Sequence, residues 1–261
     1  MPVLSTAASY NLIASNITRS IDTTAKRPDV AREIDYYLKN IGEVKSIDDF
    51  LADTRLFNFA MKAHGLEDMA YAKAFMRKAL SEGIQAQDSF VNKLADSRYR
   101  DFATTFDFAA FGETATVFEA TRQGTVDKYL RQTLETDAGA SNEGVRLALY
   151  LERKAPTIDS VYDLLADRAL LTIVHTTLGL SPTTALADID KQAQMISARI
   201  DIEDFQDPEK LSKFLTRFTT MWEMNNPSTT TPQALASILF SQPTTFGIST
   251  DLLLTMQKLK F

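Results

Sequence analysis

The chain has 261 residues, 44% apolar and 24% charged, with a formal net charge of −6 and no cysteine. That balance supports a folded core, while the acidic charge argues against nucleic-acid binding, which needs clustered Lys and Arg to displace counterions from phosphate. Without cysteine there are no disulfides, zinc–thiolate sites, iron–sulfur clusters or thiol nucleophiles.

Met1–Thr6 has neither the basic segment nor the apolar run of a secretory signal. No stretch of about 18 apolar residues exists to span a bilayer. A cytoplasmic protein without a membrane span is expected. Ser5–Pro28 is rich in Ser, Thr, Ala and Asn, yet carries Tyr10, Ile13, Ile17 and Ile21 at three-four-four spacing. This thin apolar stripe on a polar helix suits docking, on the protein's own body or on a partner, and makes these four residues the candidate interaction surface.

The 9 glycines and 8 prolines punctuate helical rather than alternating patterns, so the expected fold is all-α. A helix with Tyr37, Leu38 and Ile41 on one stripe should stop at Gly42. Ser46 followed by Asp49 predicts a capped short helix through Leu51. Leu56, Phe57, Ala60 and Met61 form the next stripe, with Gly65 placed for a left-handed terminus. A longer helix is predicted from Asp68 to Leu80, closed by Gly83.

Leu94-Ala95-Asp96-Ser97-Arg98 echoes Leu51-Ala52-Asp53-Thr54-Arg55. Residues 109–124, with Gly112, Thr114, Thr116 and Gly124, are helix-poor and fit a connection. A helix from Thr125 should end at Gly139. Another opens at Asn142, is apolar almost all round, and ends at Pro156. Further helices are predicted over 186–200, 208–224, 232–240 and 250–259, with Pro208 and Pro232 at tolerated first-turn positions. Phe214, Leu215, Phe218, Met221 and Trp222 make a heavy stripe expected in a core.

The chain also contains a match to itself. Ser46-Ile47-Asp48-Asp49-Phe50-Leu51-Ala52-Asp53 returns as Ser160-Val161-Tyr162-Asp163-Leu164-Leu165-Ala166-Asp167, and Gly65-Leu66 as Gly179-Leu180, at a constant offset of 114 residues (53 to 167, 65 to 179). Leu56, Phe57, Phe59 and Ala60 return as Leu170, Leu171, Ile173 and Val174, polarity kept and shape exchanged. Such a register predicts an internally duplicated multi-helical bundle. Its parts would be an N-terminal segment over 1–28, a first half over 29–124 and a second over 125–261, packed as one body.

Candidate chemistry is sparse. His64 and His175 are not repeat equivalents; His64 before a terminal Gly fits a helix-end role and His175 a core boundary. The acidic clusters Asp48-Asp49-Asp53, Asp159-Asp163-Asp167 and Glu203-Asp204-Asp207 stand at helix starts, where capping accounts for them, and lack calcium-loop spacing. No phosphate loop, dinucleotide fingerprint, nucleophile elbow or His-Glu-x-x-His motif occurs. No catalytic, cofactor-binding or metal residue is assigned, and no cofactor is expected.

Val44–Asp53, Leu66–Met76 and Asn142–Tyr150, with Asp188–Gln192 and Asp207–Leu211, resemble an uncharacterised bacterial family, domain of unknown function 1217. The resemblance implies an all-helical protein often encoded near flagellar genes in alphaproteobacteria, with no catalytic residues to carry over. Ser5–Ser9 with Ala14–Ile17 also resembles the helical N-termini of flagellar axial proteins. The expected function is therefore a non-enzymatic interaction or assembly accessory with a protein partner, flagellum-associated, with signal-less export through the flagellar apparatus as its route if it leaves the cell. The alternative is an enzyme or small-molecule-binding protein with a site between the two halves. Asp53 and Asp167, each just before a helix, are read as N-caps; Asp53→Ala is expected to lower unfolding free energy by about 1 kcal/mol in urea titration.

Overall fold

Side-chain caps open most of the helices. The computed structural model describes residues 4–226; the expected helices over 232–240 and 250–259 lie outside them. Ser5 accepts from the Ala8 N–H to start α1 (Thr6–Ala14), and Asn16 does the same for α2 (Ile17–Ala25). Pro28 stands first in α3 (Pro28–Asn40), which tightens into a 3-10 turn over Ile41–Glu43. Ser46 caps α4 (Ile47–Ala52) and Asp53 caps α5 (Thr54–Ala63). The chain then turns at Gly65, with φ +69°.

The helix expected from Asp68 begins later: Glu67–Met69 is a 3-10 turn and α6 is Lys73–Glu82, because the polar start is spent on turning the chain at Leu66. Asp96 caps α7 (Ser97–Thr105), so the echo at Leu94–Arg98 keeps the capping role of Asp53. Residues 109–124 hold the end of the one-turn α8 (Phe108–Phe111) and two 3-10 turns, as their composition suggested. Tyr37 and Thr116 fasten this connection to the first core, the Tyr37 hydroxyl donating to the Thr121 carbonyl and Thr116 Oγ1 donating to Val44 O at 2.8 Å.

α9 (Gln123–Ser141) runs straight through Gly139. The terminator reading fails there for a packing reason: a Cβ on Gly139 would lie 2.7 Å from Arg146 Cδ, so glycine serves close approach to α10 (Glu143–Lys154). Asn142 both ends α9 and caps α10. Ser160 and Asp163 form a reciprocal capping box on α11 (Val161–Ala166), and Asp167 caps α12 (Arg168–Leu178). After a 3-10 turn over Pro182–Leu186, Asp188 starts α13 (Ile189–Ser197) and Asp207 starts α14 (Pro208–Asn225). No strand occurs among the described residues, and the fold is all-α.

The matched stretches build like structure at the offset seen in the sequence. Gly65 and Gly179 both take positive φ, +69° and +63°, and Leu66 N–H to Met61 O (2.8 Å) recurs as Leu180 N–H to His175 O (2.9 Å), the bond that closes a left-handed helix end. Tyr36 Oη donates to Asp53 Oδ2 at 2.7 Å, and Tyr150 at the equivalent place donates to Asp167 Oδ2. Each aspartate thus caps one helix and ties it to the helix two elements earlier.

Two apolar clusters result. The first is aromatic, with Phe50 against Phe57, Phe102, Phe106 and Phe108. Val126, Tyr129 and Leu130 of α9 join it, so the first core runs past residue 124. The second is aliphatic around Leu151, Leu164, Ile173, Leu215 and Phe218, with Trp222 packed at its margin. Of the stripe expected in a core, Leu215 and Phe218 are buried, while Phe214, Met221 and Trp222 are half-buried.

The indole lies where a Gly144 side chain would be, 2.3 Å from Cδ1 to a built Cβ. Gly144→Ala is expected to destabilise by about 1 kcal/mol or more, overpacking of roughly 1–3 kcal/mol outweighing the helix-propensity gain. Because Trp222 is the single tryptophan, its emission spectrum should shift in the folded variant.

Candidate functional site

The stripe singled out in the N-terminal segment lies against the body. Thr6, fully buried, donates its N–H to Glu223 Oε2 at 3.0 Å and also its hydroxyl, while Asn142 Nδ2 donates to Thr6 Oγ1 at 2.9 Å. Tyr10 packs on the second core, where burial, then the Glu152 carboxylate, push its phenol above the ordinary range. Ile21 packs on the first core, and Ile13 and Ile17 between them are half-buried. α1 lies on α10 and α14, α2 on α9. The four residues thus span both cores, and the solvent-facing apolar residue of α1 is Leu12, 68% exposed and off the stripe.

A second region is an open cleft of about 480 Å³ where α3, α5 and α9 meet. Phe59 and Tyr129 line it, stacked at 3.9 Å between centroids, and the fully buried Tyr37 stacks behind Phe59 at 4.3 Å. Arg55 binds both carboxylate oxygens of Glu33, at 3.0 and 3.1 Å, and lies 4.0 Å from the Tyr36 ring. Lys62 holds its ammonium 5.1 Å from the Tyr129 ring centroid. Asn58, Lys62 and Glu67 also line the cleft, and among the described residues none of their three side chains has a hydrogen-bond or ion-pair partner.

Between the cores, Glu135 is 1% exposed and held by two guanidiniums. Arg131 Nε donates to Oε1 at 3.0 Å, and Arg153 donates to Oε1 at 2.7 Å and Oε2 at 2.8 Å. The Arg153 guanidinium stands 5.1 Å from the Tyr150 ring centroid, and burial, then Asp167, keep the Tyr150 phenol protonated far above its usual range.

His64 is at the end of α5 beside this network, but its ring packs on Phe102 and Phe106 and its Nε2 has no hydrogen-bond partner. The helix-end carbonyls are taken by backbone instead, Gly65 N–H on Lys62 O at 2.9 Å and Leu66 N–H on Met61 O at 2.8 Å, and the Arg98 guanidinium donates to the Gly65 carbonyl just beyond. Burial, and then the Lys128, Lys154 and Arg153 charges, hold His64 well below the ordinary histidine range. His175 is separate, half-buried and likewise lowered by burial.

The acidic clusters resolve into caps and surface pairs, Asp48 meeting Arg77 and Lys210 meeting Asp204. Among the described residues no group of three His, Cys, Asp or Glu is placed to hold a metal ion. Phe111 and Phe118 face solvent with rings 4.9 Å apart and edge-on, beside Val117; the three are 49%, 42% and 56% exposed. Sequence reasoning passed over this patch because it lies in the helix-poor connection, where apolar residues show no period. The cleft was hidden for another reason, since Tyr129 meets Phe59 only in the folded chain.

These features define a multi-helical all-α protein with a dual core, and among the described residues no helix is long and apolar enough to cross a membrane. The family described as Protein of unknown function (DUF1217) matches residues 63–211, and the chain belongs to it. The crystal structure of a protein from Agrobacterium tumefaciens, determined by the Northeast Structural Genomics Consortium, is similar at 57% identity and a TM-score of 0.79, covering 85% of this chain and 94% of that one. No curated protein matches.

Because His64 is neutral in the folded state and titrates near 6.5 when unfolded, the unfolded chain binds more protons below that pH. The stability His64 contributes is complete above about pH 6.5 and is lost as pH falls toward its depressed folded value. His175 adds a smaller effect of the same sign. Urea midpoints are expected to drop between pH 7 and 5, with a shallower drop in His64→Leu.

Proposed function

We propose that this protein is a non-enzymatic interaction or assembly accessory that binds a protein partner of the flagellar apparatus. The observation that carries the reading is the solvent-facing pair Phe111 and Phe118 with Val117. Burying a phenylalanine side chain is worth about 1.5–3 kcal/mol, so a partner that covers this patch gains directly from it. The flagellar assignment rests on the family resemblance and the expected gene neighbourhood. We place the protein in the cytoplasm, with export through the flagellar apparatus as its route outward, and we read the two matched stretches as copies of one helical unit. The paired Tyr–Asp bonds and left-handed glycines support that last reading.

The test is genetic and biochemical together. Deleting the gene in its own cells is expected to shrink the soft-agar swimming zone. The wild-type gene should restore it, and a Phe111→Ser, Phe118→Ser double variant with an unchanged melting curve should not. A deletion strain that swims normally, with a tagged protein that retains no flagellar or export component, would overturn the reading.

A further inference from the structure

The cleft between α3, α5 and α9 is lined by the stacked Phe59 and Tyr129 rings and by the Asn58, Lys62 and Glu67 side chains, which have no hydrogen-bond or ion-pair partner among the described residues. Arg55, Asn58 and Lys62 share one face of α5, at three and four residue steps. Seven residues of helix separate Arg55 from Lys62, about 10 Å at 1.5 Å per residue, the reach of about three extended residues at 3.3 Å each.

The packing of α5 does not require this set. At the offset of 114, α12 carries Ala169, Thr172 and Thr176 where α5 has Arg55, Asn58 and Lys62, while Leu56 and Phe59 correspond to Leu170 and Ile173, all four buried. The core-facing positions keep their character and the outward ones do not. Arg55 is already occupied by Glu33. Among the described residues Lys62, over the Tyr129 ring, has no carboxylate partner and can take an incoming one; Glu67 stands in the same lining with the opposite sign, and Asn58 can donate to and accept from one peptide group at once.

We propose that this cleft binds an extended peptide segment of a partner, with Asn58 bonding its backbone and an acidic side chain of the segment meeting Lys62. The proposal rests on the reading of the protein as an interaction partner and names the site and chemistry of that contact. The stacked Phe59 and Tyr129 rings give the segment a fixed apolar floor, so little ordering of the protein is needed on binding.

The experiment is selection of a random dodecapeptide display library on the full-length protein. Enriched peptides are expected to carry Asp or Glu. The same selection on Lys62→Glu should enrich Lys or Arg instead, a reversal that a merely structural lysine would not produce. Asn58→Ala, at an exposed position, should weaken the selected peptides about tenfold with an unchanged melting curve, the size of one net hydrogen bond. No enrichment over blank support, or peptides that bind both variants as they bind wild type, would overturn the proposal. Peptides insensitive to both variants but lost on Phe111→Ser, Phe118→Ser would overturn the cleft while leaving the partner-binding reading standing. The swimming assay decides that reading independently.

Discussion

A carboxylate that is 1% exposed fixes how the helices of this protein are joined. Glu135 lies inside the contact between α9 and α10, and a lone charge there would cost several kcal/mol. It is tolerated because Arg131 comes from its own helix one turn earlier and Arg153 from the next helix, filling both oxygens. Arg131 also donates to the Leu149 carbonyl at 2.9 Å, so the clamp holds α10 backbone as well as side chain. Sliding α9 along α10 would strand the carboxylate. The register of this pair is therefore set by charge, and since α9 also contributes Tyr129 to the first core while α10 contributes Leu151 to the second, so is the relation between the cores.

Within each core the register has another source. Asp53 and Asp167 each satisfy the first amides of a helix and accept a phenol from α3 or α10. A short helix such as α4 or α11, six residues long, has little stability of its own. It is held by its buried side chains, Phe50 and Leu51 in one and Leu164 in the other, and by the aspartate after it, which is bonded in two directions. Lys73 completes the arrangement in the first stretch, donating to the Leu51 carbonyl at the end of α4 at 2.7 Å.

Local chemistry made much of this readable before folding. Ser46, Asp53, Ser160, Asp167 and Asp207 cap the helices their positions suggested, because capping depends on residues two or three apart. Gly65, Gly83 and Gly179 end helices for the same reason. Gly139 did not, because the pressure on it comes from Arg146 across a helix contact, and a glycine required by a neighbour looks in sequence like one required by its own φ. The N-terminal stripe was legible as a stripe, but which surface it meets depends on Glu223, Asn142 and Glu152, far away in the chain. The cleft and the buried Glu135 were legible only in part: Arg131 stands one turn from Glu135 and Arg55, Asn58 and Lys62 share a face of α5, but Arg153, Glu33 and Tyr129 come from other helices and no spacing rule brings them in.

The matched stretches separate what the fold needs from what it carries. Positions 50, 56, 59 and 60 and their equivalents 164, 170, 173 and 174 are buried and apolar in both, though Phe in one is Leu or Ile in the other. Volume and polarity are the constraint there, and either choice packs. On the outward side of α5 the first stretch has two cations and an amide where the second has alanine and threonines. Arg55 is accounted for by its ion pair with Glu33, but Asn58 and Lys62 have no hydrogen-bond or ion-pair partner among the described residues, and core packing does not account for them. The same argument applies to Phe111 and Phe118, which lie in the connection between the stretches and whose rings touch each other while facing solvent. Residues that core packing does not account for are gathered on one helix face and in one connection, where they can change without disturbing the two cores.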